Sequence, residues 1–132
     1  EKAQADKKMV VIDFYTDWCS WCKVMDEKTY GNKGIIAYAG KNAIMAKVNA
    51  ESDEMGSYRG KQYTYRQLAS GFGVTGFPAT IFLNAEGEYI TNVPGYIPPE
   101  KFMPIMEYIA GKHYEKQGFQ EYMKSRPQGN VQ

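Results

Sequence analysis

The patterned part of the chain opens with a continuous apolar run, Met9 to Tyr15 (Met-Val-Val-Ile-Asp-Phe-Tyr). Unbroken hydrophobicity with β-branched residues over so short a span predicts a strand covered on both faces. Asp13 interrupts that run and calls for a reason. From Ser20 to about Tyr30 the period lengthens, with Trp21, Met25 and Thr29 four residues apart among charged positions, and a helix is predicted. Gly31 and Gly34 punctuate it, Ile35 to Ala39 predicts a further turn of helix, and Ala43 to Val48 a second buried strand. Glu51 to Thr64 is polar, contains Gly56 and Gly60, keeps no period and predicts a loop.

Tyr65 to Phe72 predicts a short helix closed by Gly73, since glycine tolerates the left-handed conformation that ends a helix. Thr75-Gly76-Phe77-Pro78 predicts a turn into a strand over Ala79 to Leu83. Asn84-Ala85-Glu86-Gly87 then predicts a hairpin into Glu88 to Thr91, which makes that strand pair antiparallel. Phe102, Ile105, Met106 and Ile109 mark one face of a helix with Pro99 in its first turn. Pro104 conflicts with that helix: it removes a backbone donor, so a kink or a delayed start is expected. Phe119, Tyr122 and Met123 predict one more short helix, and Lys2 to Lys8 a polar lead-in. Two crossovers followed by a hairpin give a mixed β-sheet flanked by helices, an α/β architecture.

A chain of 132 residues can bury one core without structural disulfides. A net charge of +1 with no basic cluster offers no electrostatic footprint for nucleic acid, so no such partner is expected. No stretch approaches the roughly 20 apolar residues of a membrane span. The chain starts at Glu1 rather than Met, and a signal peptide or anchor upstream of it is expected.

The only two cysteines, Cys19 and Cys22, stand together in Trp18-Cys19-Ser20-Trp21-Cys22-Lys23, between the first strand and the first helix. A short loop keeps two sulfurs within bonding reach, and a helix N-terminus stabilises a thiolate, which is what dithiol–disulfide exchange requires. Half of a zinc site is the rival, but it needs two more ligands, and the nearest soft candidate, His113, lies about ninety residues away. A purely structural disulfide is the third reading, although a two-residue loop constrains the unfolded chain weakly. A copper(I)-holding module would suit soft thiolates but lacks a third soft ligand. No metal or other cofactor is expected. Asp13, a carboxylate in a buried strand, must be paired or protonated; a plain buried ion pair and a proton relay both satisfy that demand.

The segment Val11 to Lys23, with Ala46-Lys47-Val48-Asn49, Val74 to Thr80 and Val93-Pro94-Gly95-Tyr96, resembles the thioredoxin family over roughly Met9 to Ile109. The Asp-Trp-Cys-x-x-Cys-Lys form is similar to exported reductases of that family, including the C-terminal domain of the membrane electron transporter DsbD. The tail, Tyr108 to Tyr114 and Phe119 to Tyr122, resembles periplasmic thioredoxins associated with bacterial sulfur oxidation. The resemblance implies a thioredoxin fold: a single domain over residues 1–132 with a helical extension at about 112–126. It implies that Cys19, the more exposed thiol, attacks, that Cys22 resolves the mixed disulfide, that Asp13 is the buried carboxylate and that Lys47 is its partner. Pro78 matches the family's cis-proline; without the resemblance a trans bond is the default. Substrate contact is expected at Trp18, Trp21, Phe77, Pro78 and Gly95, and Trp21 departs from the Gly-Pro of most thioredoxins. Glu51 to Thr64 is longer than the family's usual connection, either a partner-binding insertion or a tolerated loop. The implied activity is thiol–disulfide exchange with protein partners in the reducing direction, by a periplasmic monomer fed by a membrane electron donor. A thiol oxidase of the same fold and a cytoplasmic location are the alternatives.

Overall fold

The sheet is built on the apolar run, now strand β1 (Met9–Tyr15), in a computed structural model that describes residues 7–125. Helix α1 (Ser20–Lys28) and helix α2 (Lys33–Asn42) carry the chain across to strand β2 (Ala43–Asn49), which pairs parallel to β1. The expected single turn after Gly31 is therefore a full helix, because Asn32 caps it: its Oδ1 accepts from Ile35 N at 3.1 Å. Gly34 lies inside that helix rather than breaking it.

Strands β5 (Ala79–Leu83) and β6 (Tyr89–Pro94) follow as the expected antiparallel pair. β5 also lies antiparallel to β1, and the sheet order is β2-β1-β5-β6. β2 is thus an edge strand, half exposed, and not the buried strand its composition suggested; Met45 is 40% exposed. β1 and β5, with neighbours on both sides, are the strands of this sheet buried along most or all of their length, Asp13 and Thr80 being their polar members.

The polar stretch expected to be a loop forms a second, two-stranded sheet, β3 (Met55–Tyr58) and β4 (Lys61–Thr64). Arg59 and Gly60 both take positive φ between them, at 52° and 82°, the conformation of a two-residue hairpin turn. Thr64 then begins helix α3 (Tyr65–Gly71) with a reciprocal capping box to Gln67. Helix α4 (Pro99–Ala110) starts without delay and runs through Pro104, which is fully buried in the core. A 3-10 turn (His113–Glu115) and helix α5 (Phe119–Ser125) follow, docked by Tyr108, whose hydroxyl donates to Gln117 O at 2.8 Å. Of the polar lead-in, residues 2–6 lie outside the described part of the chain.

Side chains alternate across the sheet and divide the core in two. Val11, Phe82, Met25, Ile35, Phe102 and Met106 pack between the sheet and α1, α2 and α4. Ile12, Phe14, Val48, Ile81 and Leu83 occupy the other face, covered by α3 and by Tyr58 of the new hairpin. Tyr58 packs edge-on against Phe72 at 5.2 Å and donates its hydroxyl to Gly87 O at 2.5 Å, so this segment covers the core.

Candidate active site

β1 ends at Tyr15 and the chain turns through Thr16–Trp18 into the first turn of α1, which places Cys19 at the N-cap and Cys22 within the helix. The two are joined as a disulfide with Cα atoms 5.3 Å apart, and they form the oxidised state of the pair. Cys19 Sγ also accepts a hydrogen bond from Cys22 N at 3.1 Å. A backbone donor and the positive helix end therefore converge on one sulfur, and both favour its thiolate. The expected difference in exposure does not appear: each cysteine is 4% exposed. Position in the helix, not accessibility, sets them apart.

Four aromatic rings flank the disulfide in two pairs. Trp18, 65% exposed, meets Phe77 edge-on at 5.9 Å and donates its indole N–H to Glu51 Oε1 at 3.0 Å. Trp21, 58% exposed, lies against Tyr96 at 5.4 Å. The Phe77–Pro78 peptide bond is cis. Pro78 O accepts from Gly95 N at 2.8 Å, and Gly95 holds φ +86°, a conformation suited to glycine. With that carbonyl engaged, the neighbouring Phe77 takes part in no backbone hydrogen bond among the described residues.

Asp13 is 5% exposed and points to the α1–α2 side of the sheet, with Lys47 its register partner on β2. The expected bond between them is not formed. Lys47 Nζ instead holds Asp26 Oδ2 at 2.5 Å and lies 4.8 Å from the centre of the Tyr15 ring. The reason is desolvation: an ammonium keeps its hydration at the open edge beside a half-exposed carboxylate and would lose it beside Asp13. Burial works to lower the Lys47 value, but the bond to Asp26 and the nearby acidic charges outweigh it and raise it. Asp13 is consequently raised from 3.8 to about 7, first by burial, then by the like charge of Asp26, with Lys47 opposing.

Asp26, which pairs with Lys47 and raises Asp13, is a residue of the site that sequence reasoning missed. It stands one helical turn beyond Cys22 and two beyond Cys19, so its i+4 and i+7 spacing was the available signal. Tyr96 and Glu51 were missed as well, because nothing local announces that β6 and the chain after β2 return to the tryptophans. Asp13, Asp26, Tyr30 and Lys47 share the head of a cleft of about 570 Å³ whose remaining walls are mostly apolar residues of α2 and β2.

A family profile of the thioredoxin-like domain matches residues 1–110. The thiol:disulfide interchange protein DsbD of Ralstonia nicotianae is 31% identical over 111 residues, 83% of this chain and 17% of that protein. DsbD of a Pseudomonas species is 29% identical over 87 residues, 66% of this chain and 14% of that protein. The chain thus spans less than a fifth of the length of either relative. A thioredoxin-fold protein from Helicobacter pylori superposes with a TM-score of 0.80 at 20% identity, covering 91% of this chain and 84% of that one, and shares the fold. Fold and paired cysteines together define a thiol–disulfide oxidoreductase. The chain belongs to the thioredoxin-like family.

Proposed function

We propose that the protein reduces disulfides of protein substrates outside the cytoplasm, with electrons supplied by a membrane-linked donor. The observation that carries the chemistry is Cys19 Sγ at the helix N-cap, bonded by Cys22 N–H. In the reduced protein the Cys19 thiolate attacks one sulfur of the substrate disulfide, and the other sulfur leaves as a thiolate. Cys22 then loses its proton to Asp13 and attacks Cys19 Sγ, which expels the second substrate thiolate. Two electrons pass to the substrate, and the pair ends as a disulfide. A donor dithiol reverses that change for the next cycle.

Asp13 is suited to the proton step because burial and Asp26 hold its value near neutrality, where an acid–base group exchanges protons most effectively. Trp18 and Trp21 with their aromatic partners offer an apolar rim to a substrate peptide, and the backbone at Phe77 offers it hydrogen bonds. The similarity to the thiol:disulfide interchange protein DsbD supports the proposed location and donor. No helix among the described residues is long and apolar enough to cross a membrane.

The reducing direction rests on Ser20-Trp21, which places no histidine between the sulfurs to stabilise the reduced form. Equilibration with glutathione tests it. The potential is expected at least about 60 mV below the roughly −120 mV of a strong oxidant of this fold, two decades for a two-electron couple. A potential near that of the strong oxidants assigns the protein to thiol oxidation instead.

A further inference from the structure

Two hydroxyl groups next to Asp13 have no task in the exchange so far. Thr80 is the register partner of Asp13 on β5, wholly buried, and the alternation of the strand turns it to the Asp13 side of the sheet. Tyr30, just beyond α1, reaches the same place, and its hydroxyl feels the charges of both Asp13 and Asp26. The two hydroxyls adjoin, close enough for Thr80 to ease the ionisation of Tyr30, yet no hydrogen bond is formed between them. Tyr30 Oη and Thr80 Oγ1 are both buried and have no hydrogen-bond partner. Buried hydroxyls are rarely left so, because the loss of their hydration goes uncompensated. Burial, the first cause, and then Asp13 keep the Tyr30 phenol far from ionising, so it remains a proton donor.

We propose that Tyr30, backed by Thr80, is a positioning residue for Asp13: the two hydroxyls and the Asp13 carboxyl hold one water molecule at the head of the cleft, and Asp13 passes its proton to solvent through it. Three polar groups converge there, which is the usual number of partners for a buried water. The cleft that Tyr30 lines leads past Asp26 and Lys47. The inference rests on the reading of Asp13 as acceptor of the Cys22 proton. In that step the Cys22 S–H bond breaks and an O–H bond forms on Asp13, while the sulfur keeps the electron pair with which it attacks Cys19. The Asp13 O–H bond then breaks toward the held water, which releases a proton into the cleft. The charged or titratable groups facing Asp13 are Asp26 and Tyr30 from α1 and the turn after it, and Lys47 from β2; β5 contributes only Thr80.

Donors aimed at a carboxylate favour its ionised form, so removing one raises its titration point. The test is Tyr30→Phe, which keeps the ring that meets Phe102 edge-on at 5.5 Å, with the milder Thr80→Val beside it. The Asp13 carboxyl is titrated by carbon NMR in the oxidised protein, and the pH profile of single-turnover substrate reduction is measured in the reduced one. Tyr30→Phe is expected to move both upward by about one pH unit, slowing turnover about fivefold at pH 7, and Thr80→Val to move both by less. An Asp13 titration that neither variant moves overturns the inference. A moved titration with an unmoved rate profile upholds the contact of Tyr30 with Asp13 and overturns the relay reading of Asp13 instead.

Discussion

Cys19 and Cys22 carry identical thiols under equal burial, and only their places in α1 separate them. Cys22→Ser is therefore expected to accumulate a mixed disulfide through Cys19, visible as a reducible mass shift, and Cys19→Ser to accumulate none. Equal trapping by both variants removes the assignment. Asp13 yields a second test. Its value rises from 3.8 to about 7 on folding, so the folded protein binds its proton more tightly than the unfolded chain does. That contribution to stability is complete below about pH 4 and is lost as pH rises through 7, a change of up to about 4 kcal/mol. Asp13→Asn carries no charge to desolvate and should leave a protein more stable than the parent at pH 8.5, with the gain vanishing at pH 4. Urea denaturation at the two pH values measures it, and a parallel pH dependence in the two proteins refutes it. The same substitution is expected to slow turnover and flatten its pH profile.

At the scale of elements, the β3–β4 hairpin and the active site meet through single residues. Tyr58 holds the hairpin to Phe72 and Gly87, whereas Glu51, just before the hairpin, holds Trp18. Tyr58→Ala is expected to cost about 2–3 kcal/mol of stability in denaturant titration, through lost packing and a lost hydrogen bond, and to leave the rate of Cys19 alkylation unchanged. Glu51→Ala should do the reverse: under about 1 kcal/mol of stability, with a change in Trp18 fluorescence and in KM for a protein substrate. If the hairpin variant instead alters substrate KM at unchanged stability, the segment is a docking surface rather than a cover. The hairpin was hard to read because its period of two is blurred by an open, polar outer face. β2 was misread for the related reason that an edge strand and a central one can share the same β-branched composition.

Over the whole molecule, the reduction potential measures how differently the fold stabilises the dithiol and the disulfide. An oxidant of this fold is strong because its reduced form is the more stable. A two-residue loop adds little entropy of its own, so the stability difference between the two states reports that bias. A reductant of the proposed kind should melt at a higher temperature oxidised than reduced, and a reduced form that outlasts the oxidised one points to an oxidase.

The amino-acid sequence alone set the elements that depend on neighbours in the chain: the apolar β1, the helix from Ser20, the β5–β6 hairpin, and the pair Cys19–Cys22 at a strand–helix junction. These follow from local periodicity and from a spacing that no fold could pull apart. It also marked Asp13 as a residue in need of a partner. That Lys47 is not this partner emerges from the folded arrangement alone. Lys47 stands beside Asp13 in register yet turns to Asp26, because desolvation is decided by where the edge of the sheet meets water, and that edge exists only once β2 has taken the outer place. The buried hydroxyls of Tyr30 and Thr80, brought to Asp13 from chain segments 17 and 67 residues away, could be seen together only there.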